Sequence, residues 1–400
     1  MSVDQAWVDA VAELWPGASV RVTTSADPVA AGRRELAFLP NAARPRLLLP
    51  VESAAASAAA LRRYSHDLGL RQRISRSVSA LALRSGGPQR ALRDRLRIDG
   101  GGESVEDRLS ELLGRRVLVS VGLGTARANR KPILHVLTPQ GRALAFVKVG
   151  DTSTARALIA QEAAALRYLS TRSLPGVTVP EVLHLGDWQG RGLLVLSALH
   201  TSALGWRPRR TVPLAAMRTV FGAVEVRRAA LADSTFWAAM TQVPAQVADG
   251  RRAERLAEVI KRVESAYGDV ELDFGAWHGD WTPWNMAWHR GRVQLWDWER
   301  FSRDVPNGFD LLHYRLQEAS RAKGADPYGT WPAGAVACLA PLGLTGRTAL
   351  ATLELYLLEL CRRYQLAAQE PIGDPLRPTA DRLLDLLAER AGGAHDGSVR

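Results

Sequence analysis

Two cysteines among 400 residues, Cys338 and Cys361, exclude a disulfide framework and a cysteine-rich zinc site, and fit a reducing cytoplasm. No run of eighteen or more apolar residues is present, so no spanning helix and no membrane insertion is expected. Internal repeats and long low-complexity tracts are missing as well. The opening residues, MSVDQAWVDAVAELWPG, carry early acids and no basic n-region, so they do not read as a secretory signal. Lysine is scarce as well: Lys131, Lys148, Lys261 and Lys323 stand against 52 basic residues in all. A net charge of +11 drawn almost wholly from arginine, in a chain rich in alanine, glycine and proline, reads as coding bias, and no nucleic-acid partner is expected. In the densest basic stretch, 62–97, the neighbouring Leu61 and then Tyr64, Leu68, Val78 and Leu81 fall near helical spacing. That puts its arginines on a solvated face.

What remains is an ordinary apolar fraction of 46% on a chain long enough for two or three domains. Residues 1–100 read as a helix, two short strands (RELAFLP and RPRLLLPV) around a Pro-Asn turn, and a long Ala/Arg helix. This α/β extension ends at IDGGGES, 98–104. Over 101–200, RVLVSVGLG, PILHVLTP and ALAFVKVG read as strands, and VPEVLHLGDWQGRGLLVLSAL as two more around a Gly-rich turn. Between the two groups lies the helix DTSTARALIAQEAAALRYLS, with Asp151, Thr152 and Ser153 as candidate caps. From 201 to 400 the pattern is mainly helical. The expectation is an α+β fold in two lobes: a small antiparallel sheet carrying one helix, then a larger helical lobe.

Two charges sit in apolar surroundings. In ALAFVKV, alternation puts Ala145, Val147 and Val149 on one strand face and Phe146 with Lys148 on the other. On the next helix Glu162 shares the stripe of Ile159, Leu166 and Leu169, where an unpaired carboxylate is costly to bury. Each charge explains the other if helix and strand pack side by side. The plainer alternative is a lysine snorkelling at a strand end and a glutamate on the rim.

The densest chemistry lies in HGDWTPWNM, 278–286. His278, Asp280 and Asn285 are open to three readings: loop residues making local caps, ligands of a metallohydrolase, or a base with a cation ligand and a buttressing histidine. A hydrolase centre needs more histidine or carboxylate ligands than HGD supplies. NMAWHRGRVQLWDWE reads as a hairpin with its turn at His289–Gly291, returning Asp297 toward Asn285. Alternation continued along the return strand puts Asp297 on the side of Val293 and Leu295. An Asn/Asp oxygen pair beside a base-like aspartate suits Mg2+, which keeps its waters and takes few protein ligands.

Taken in order, the Gly-containing loop VGLGTARANR, the strand lysine, the helix glutamate, H-x-D-x-x-x-x-N and a closing DWE resemble the protein-kinase-like superfamily. HGD and DWE point to its aminoglycoside phosphotransferase and choline kinase branch, over residues 115–370. The resemblance implies a protein-kinase-like two-lobed fold and an ATP- and Mg2+-dependent kinase acting on a hydroxyl of a small molecule. It implies that Lys148, held by Glu162, contacts the α- and β-phosphates, and that Gly122 and Gly124 lie over them. Asp280 takes the acceptor proton with His278 bracing the bend, Asn285 and Asp297 bind Mg2+, and the backbone of Ser197, Ala198 and Leu199 meets the adenine. The loop lacks a third glycine, so Arg127, Asn129 or Arg130 can assist there.

Trp277, Trp281, Trp284, Trp288, Trp296 and Trp298 surround these motifs. Most read as packing for the loop and hairpin. Trp281, next to the base, is the one expected to touch the acceptor, and Glu299 is expected at its mouth. No dense acidic run follows the loop, so a sugar, amino sugar or amino alcohol is expected before a polycation. Two other classes stand beside this reading. One is a non-catalytic kinase-like scaffold binding a partner through residues 1–100; the other is a basic nucleic-acid-binding protein, whose affinity would fall steeply with salt.

Overall fold

The computed structural model describes residues 8, 11–27, 34–62, 92–123, 132–200, 211–321, 327–370 and 373–393. The chain forms two compact units. The first comprises Met1–Ser170, Thr178–Arg207 and Ala287–Glu299; the second comprises Thr171–Val177, Pro208–Met286 and Arg300–Arg400.

In chain order the first unit starts with β1 (Ser19–Thr24), β2 (Arg34–Leu39), β3 (Leu47–Pro50), α1 (Ala54–Leu61), β4 (Asp94–Asp99) and α2 (Val105–Leu112). Then come β5 (Leu118–Gly122), β6 (Ile133–Leu137), β7 (Ala143–Gly150), α3 (Ser153–Ser170), a two-residue strand β8 (Val177–Thr178), β9 (Val182–Trp188) and β10 (Arg191–Ser197). Nine strands form one sheet in the order β1-β4-β2-β3-β5-β6-β7-β10-β9. The five strands expected over 101–200 are its β5-β6-β7-β10-β9 half. Four more come from residues 1–100, joined where Leu47 and Leu48 of β3 pair antiparallel with Gly122 and Val121 of β5.

Alternation along these strands feeds two cores. Leu36, Phe38, Leu48, Leu96, Val119, Val121, Val136 and Val147 belong to one. Ala37, Leu47, Leu49, Leu118 and Leu137 belong to the other, beneath α1 with its Ala56, Ala60 and Leu61. A sheet covered on both faces needs apolar residues at successive positions, which explains the unbroken LLL of β3.

The region after α1 departs from expectation. A strand, β4, occupies 94–99 where the Ala/Arg helix was expected to run, and Arg95 and Arg97 are buried in it instead of solvated. Arg97 donates to Glu35 from its Nε at 2.9 Å, so the cross-strand acid compensates the buried guanidinium. Tyr64, Leu68, Val78 and Leu81 lie outside the described residues, as does most of the expected first helix. Strand β1 went unanticipated because SVRVTT has only two apolar residues, both half-buried.

The second unit contains α4 (Leu214–Phe221), β11 (Arg227–Ala230), α5 (Thr235–Thr241), α6 (Gly250–Tyr267) and β12 (Glu271–Trp277). The hairpin β13 (Met286–His289) and β14 (Arg292–Leu295) follows, most of it belonging to the first unit. Arg290 and Gly291 at its tip both have positive φ, 48° and 79°, as a tight two-residue hairpin turn requires. The second unit resumes with β15 (Ser302–Pro306), α7 (Phe309–Ala319), α8 (Pro327–Ala335), α9 (Gly346–Ala367) and α10 (Arg377–Gly393). Strands β11, β12 and β15 form a small antiparallel sheet. Helix α9 is apolar nearly all round, and Leu353, Leu355, Leu357 and Leu358 have no exposed surface. The architecture is α+β, a sheet-rich unit and a mainly helical one, in agreement with expectation. Among the described residues no single helix is long and apolar enough to cross a membrane.

Candidate active site

In the first unit, β7 carries Lys148 and α3 carries Glu162. Thr152 starts α3 by accepting the Ala155 N–H at 3.1 Å, which sets the helix phase that turns Glu162 inward. The side chain of Glu162 has no exposed surface, and its Oε2 lies 2.6 Å from Lys148 Nζ. The two charges read as explaining each other do meet. Beyond β14 the chain bends, and its Asp297 Oδ1 reaches the same ammonium at 2.5 Å. Glu299 Oε2 lies 3.8 Å from it.

Asp297 has a φ of 73°, in the left-handed region that aspartate tolerates better than most residues. Strand alternation therefore stops at Leu295, and the expected shared face with Val293 does not extend to Asp297. Trp298, on the far side of the bend, donates its backbone N–H to Glu162 Oε1 at 3.2 Å and buries its indole completely. That pins the bend to α3.

One ammonium thus faces three carboxylates. Oxygens of Glu162, Asp297 and Glu299 lie within 4.8 Å of one another, as oxygen ligands of one cation would. Burial alone would lower the Lys148 pKa, but Asp297, Glu162 and Glu299 outweigh it and hold the ammonium protonated well above the usual lysine range. Burial pushes the Glu162 carboxyl up; Lys148 pulls it back, and the charges of Asp297 and Glu299 push it further up. Glu299, expected at an acceptor mouth, belongs instead to this charge cluster.

In the second unit the loop after β12 carries His278, Asp280 and Asn285. Gly279 has a φ of 84°, and a Cβ there would lie 2.2 Å from the Arg300 carbonyl oxygen, so only glycine allows this crossing. Asp310, in the first turn of α7, accepts the backbone N–H of His278 at 2.9 Å and of Gly279 at 3.2 Å, which braces the loop. Arg363 of α9 donates to the Gly279 carbonyl at 2.6 Å, lies over the Trp277 ring at 4.3 Å and is held by Glu359 at 2.7 Å. His278 is fully buried, and its Nδ1 accepts the Asp280 N–H at 3.2 Å. It shapes the bend.

The Asp280 carboxylate is gripped on both oxygens. Asn285 donates to Oδ2 at 2.9 Å and to the Asp280 carbonyl at 3.0 Å, while His313 Nε2 lies 3.1 Å from Oδ1. Its side chain remains 36% exposed, so the carboxylate still meets solvent. Burial would raise its pKa, but the His313 hydrogen bond and the charge of Arg363 hold it below the usual aspartate range. The group is ionised at neutral pH. Such a carboxylate can accept a proton from a hydroxyl as that oxygen attacks an electrophile.

Trp281 is corrected: it is fully buried with its indole N–H toward Met286 Sδ at 3.4 Å, so it packs the loop. Trp284 is the half-buried indole of this loop, with Arg321 above its ring at 5.4 Å. Ser197 closes β10; its N–H is committed to Glu181 O at 2.8 Å and that of Ala198 to Leu144 O at 3.0 Å, with Leu199 following. Gly122 ends β5, whereas Gly124, Arg127, Asn129 and Arg130 lie outside the described residues.

His313, Tyr356, Glu359 and Arg363 were not singled out from the sequence. A signal existed for His313, which follows Asp310 by three residues in DLLHY and so shares its helix face. Glu359 offered another, an acid within the apolar run LELYLLELC.

Residues 134–307 match the family model described as "Phosphotransferase enzyme family" (APH). No curated protein sequence matches the chain. Similar solved structures include a putative fructosamine-3-kinase from Haemophilus somnus 129PT, at 12% identity over 71% of this chain and 96% of that one, TM-score 0.42. A thermostable mutant of the aminoglycoside phosphotransferase APH(4)-Ia in ternary complex with ADP and hygromycin B has 14% identity over 72% and 98%, TM-score 0.47. The amicoumacin kinase hAmiN, in complex with AMP-PNP, Ca2+ and Ami, has 12% identity over 68% and 88%, TM-score 0.40.

Proposed function

We propose that this chain, whose residues 134–307 match the phosphotransferase enzyme family model, is a small-molecule kinase using ATP and Mg2+. The acceptor is a hydroxyl of a sugar, an amino sugar or an amino alcohol. The observation that carries the reading is the gathering of the Glu162, Asp297 and Glu299 carboxylates around Lys148. Carboxylate oxygens that converge within 4.8 Å of one another suit a hard divalent cation, and the ammonium beside them suits a polyphosphate.

In this reading Lys148 holds the nucleotide phosphates and Glu162 keeps its ammonium in place. Asp297 and Glu299 supply oxygens to Mg2+; Asn285, the other ligand expected from the sequence, has its amide nitrogen spent on Asp280. When bound, the ion neutralises charge on the phosphates. Asp280 orients the acceptor hydroxyl; its O–H bond gives up a proton to the carboxylate as the new O–P bond forms and ADP departs. Since the Ser197 and Ala198 N–H groups are committed, adenine recognition falls to the carbonyls of this stretch and to Leu199. Gly122, at the end of β5, meets the phosphates; Gly124, expected beside it from the sequence, lies outside the described residues. Trp284 offers the indole face for a sugar ring or an ammonium group.

The test is a screen of ATP consumption against sugars, amino sugars, amino alcohols and hydroxy amino acids, with and without Mg2+. Calorimetry then separates the roles. Asp280→Ala should keep Mg2+-dependent ATP binding and lose transfer by on the order of 10²–10⁴. Asp297→Ala should lose the Mg2+-dependent part of nucleotide binding. Unchanged Mg2+·ATP affinity in the second variant would defeat the assignment.

A further inference from the structure

We propose that His313 is the positioning residue of the Asp280 base, holding the carboxylate through Nε2–H while Tyr356 fixes the imidazole tautomer from its other side. The inference rests on the reading of Asp280 as the group that takes the acceptor proton.

An ionised carboxylate only accepts hydrogen bonds, so the proton between Asp280 Oδ1 and His313 Nε2, 3.1 Å apart, belongs to the histidine. In a neutral imidazole Nδ1 is then an acceptor. The group facing it at 3.0 Å is the Tyr356 hydroxyl. That phenol has no exposed surface, and burial holds its pKa well above the usual tyrosine range, so it keeps the proton it donates. The chain of donors therefore runs from Tyr356 to His313 to Asp280.

His313 is itself buried, and its ring meets Tyr356 edge-on at 6.2 Å with an interplanar angle of 75°. A histidine that merely fills a core has no reason to commit both ring nitrogens along a line ending at a base. The elements reinforce the point. Asp310 and His313 stand three residues apart on α7, so one helix face fixes the backbone of the loop through Asp310 and its side chain through His313. Tyr356 and Arg363 stand seven apart on α9, and this second face backs the histidine and ties down the Gly279 carbonyl. With Asn285 on Oδ2 and His313 on Oδ1, two of the roughly four lone-pair positions of the carboxylate are used. The carboxylate plane is thereby set, and the other lone pairs remain for the acceptor hydroxyl. Misorientation of a catalytic group by a fraction of an ångström is costly in rate, which is what this arrangement prevents.

The full chain is the material for the test, with ¹⁵N-histidine NMR at neutral pH and ADP release from Mg2+·ATP with water as acceptor. The His313 signals should show the neutral Nε2–H tautomer in the wild type and a mixture of tautomers in Tyr356→Phe. In turnover, His313→Ala should lower kcat by about 10- to 100-fold with the KM for ATP unchanged. His313→Gln, whose amide nitrogen can donate near the place of Nε2, should recover most of the loss, and Tyr356→Phe should lose less than His313→Ala. An Nδ1–H tautomer in the wild type overturns the proposal, as does a His313→Gln variant no faster than His313→Ala. Parallel changes in kcat and KM would likewise reduce His313 to a packing role. Asp280→Asn separates the two levels: if it turns over ATP at the wild-type rate, the reading of the base fails, whatever His313 does. Where His313→Ala does not fold or water is a poor acceptor, the tautomer in the wild type and in Tyr356→Phe decides.

Discussion

Around Lys148 three carboxylates share one ammonium, whereas around Asp280 each charged group has donors of its own. The first arrangement is held by charge. The second is a lattice of directed hydrogen bonds, closed by Asp310, His313 and Arg363 on two helices. A place that must receive a cation and release it gains from carboxylate oxygens that converge. A base must be aligned before its substrate arrives, and it gains from neighbours that never change. The two regions should therefore respond differently to substitution, to divalent ions and to pH.

The largest response should follow Lys148→Met. Glu162 would then be fully buried beside two other acids with no cation, and breaking such a pair costs about 3–5 kcal/mol. Urea unfolding measures it; a loss below about 1 kcal/mol would mean that water already solvates the cluster.

A change of pH tests the hydrogen-bonded side. Burial pushes the Asp310 carboxyl up to about 7, against the pull of the His278 and Gly279 N–H groups and of Arg363. An acid raised in the folded state is protonated there while the unfolded chain is already ionised. Stability should consequently fall as pH rises from about 4 to about 7, by about 4 kcal/mol. Asp310→Asn should flatten that slope, although its amide would face two N–H donors and lower stability throughout. Melting curves at pH 5 and pH 8 compare them; a flat wild-type profile would mean that the backbone donors keep Asp310 ionised. Next comes Mg2+ itself. At 100 times its dissociation constant the ion should stabilise the wild type by about 2.7 kcal/mol in thermal melts. Asp297→Asn and Glu299→Gln should each weaken that gain, and Asp280→Asn should leave most of it. No shift in the wild type would remove the contrast between the regions. The smallest effect concerns the indoles. Trp281→Phe should cost about 1 kcal/mol of stability with no change in the KM for an acceptor, and Trp284→Ala should raise that KM. The reverse pattern would restore Trp281 to the acceptor.

Much of this was legible in the sequence because it breaks a pattern. Lys148 and Glu162 interrupt apolar stripes, and the structure pairs them; HGDWTPWN is too polar and too aromatic for an idle bend. Strands β5, β6, β7, β9 and β10 carry alternation strong enough to be read at sight. Features that obey no local pattern were missed. Strand β4 looked like the end of an arginine-rich helix, because its partners β1 and β2 are distant in sequence and a guanidinium–carboxylate pair across strands leaves no periodicity. Trp281 was read by its adjacency to the base, but the bend that makes neighbours in sequence point apart comes from Gly279 and its crossing with Arg300. His313 needed a helix face to be followed one turn past Asp310, which braces the loop.

The junction of β3 with β5 bears on how this chain can be cut. Along it the Leu123 N–H finds the Arg46 carbonyl at 3.0 Å, and Leu47 and Leu48 lie opposite Gly122 and Val121. A shortened protein beginning near residue 101 would present β5 as a bare border, its main-chain donors and acceptors open to any other strand that drifts by. Light scattering should find such a truncation collecting into large particles. The opening hundred residues act as a selvedge, and the fabric frays without it.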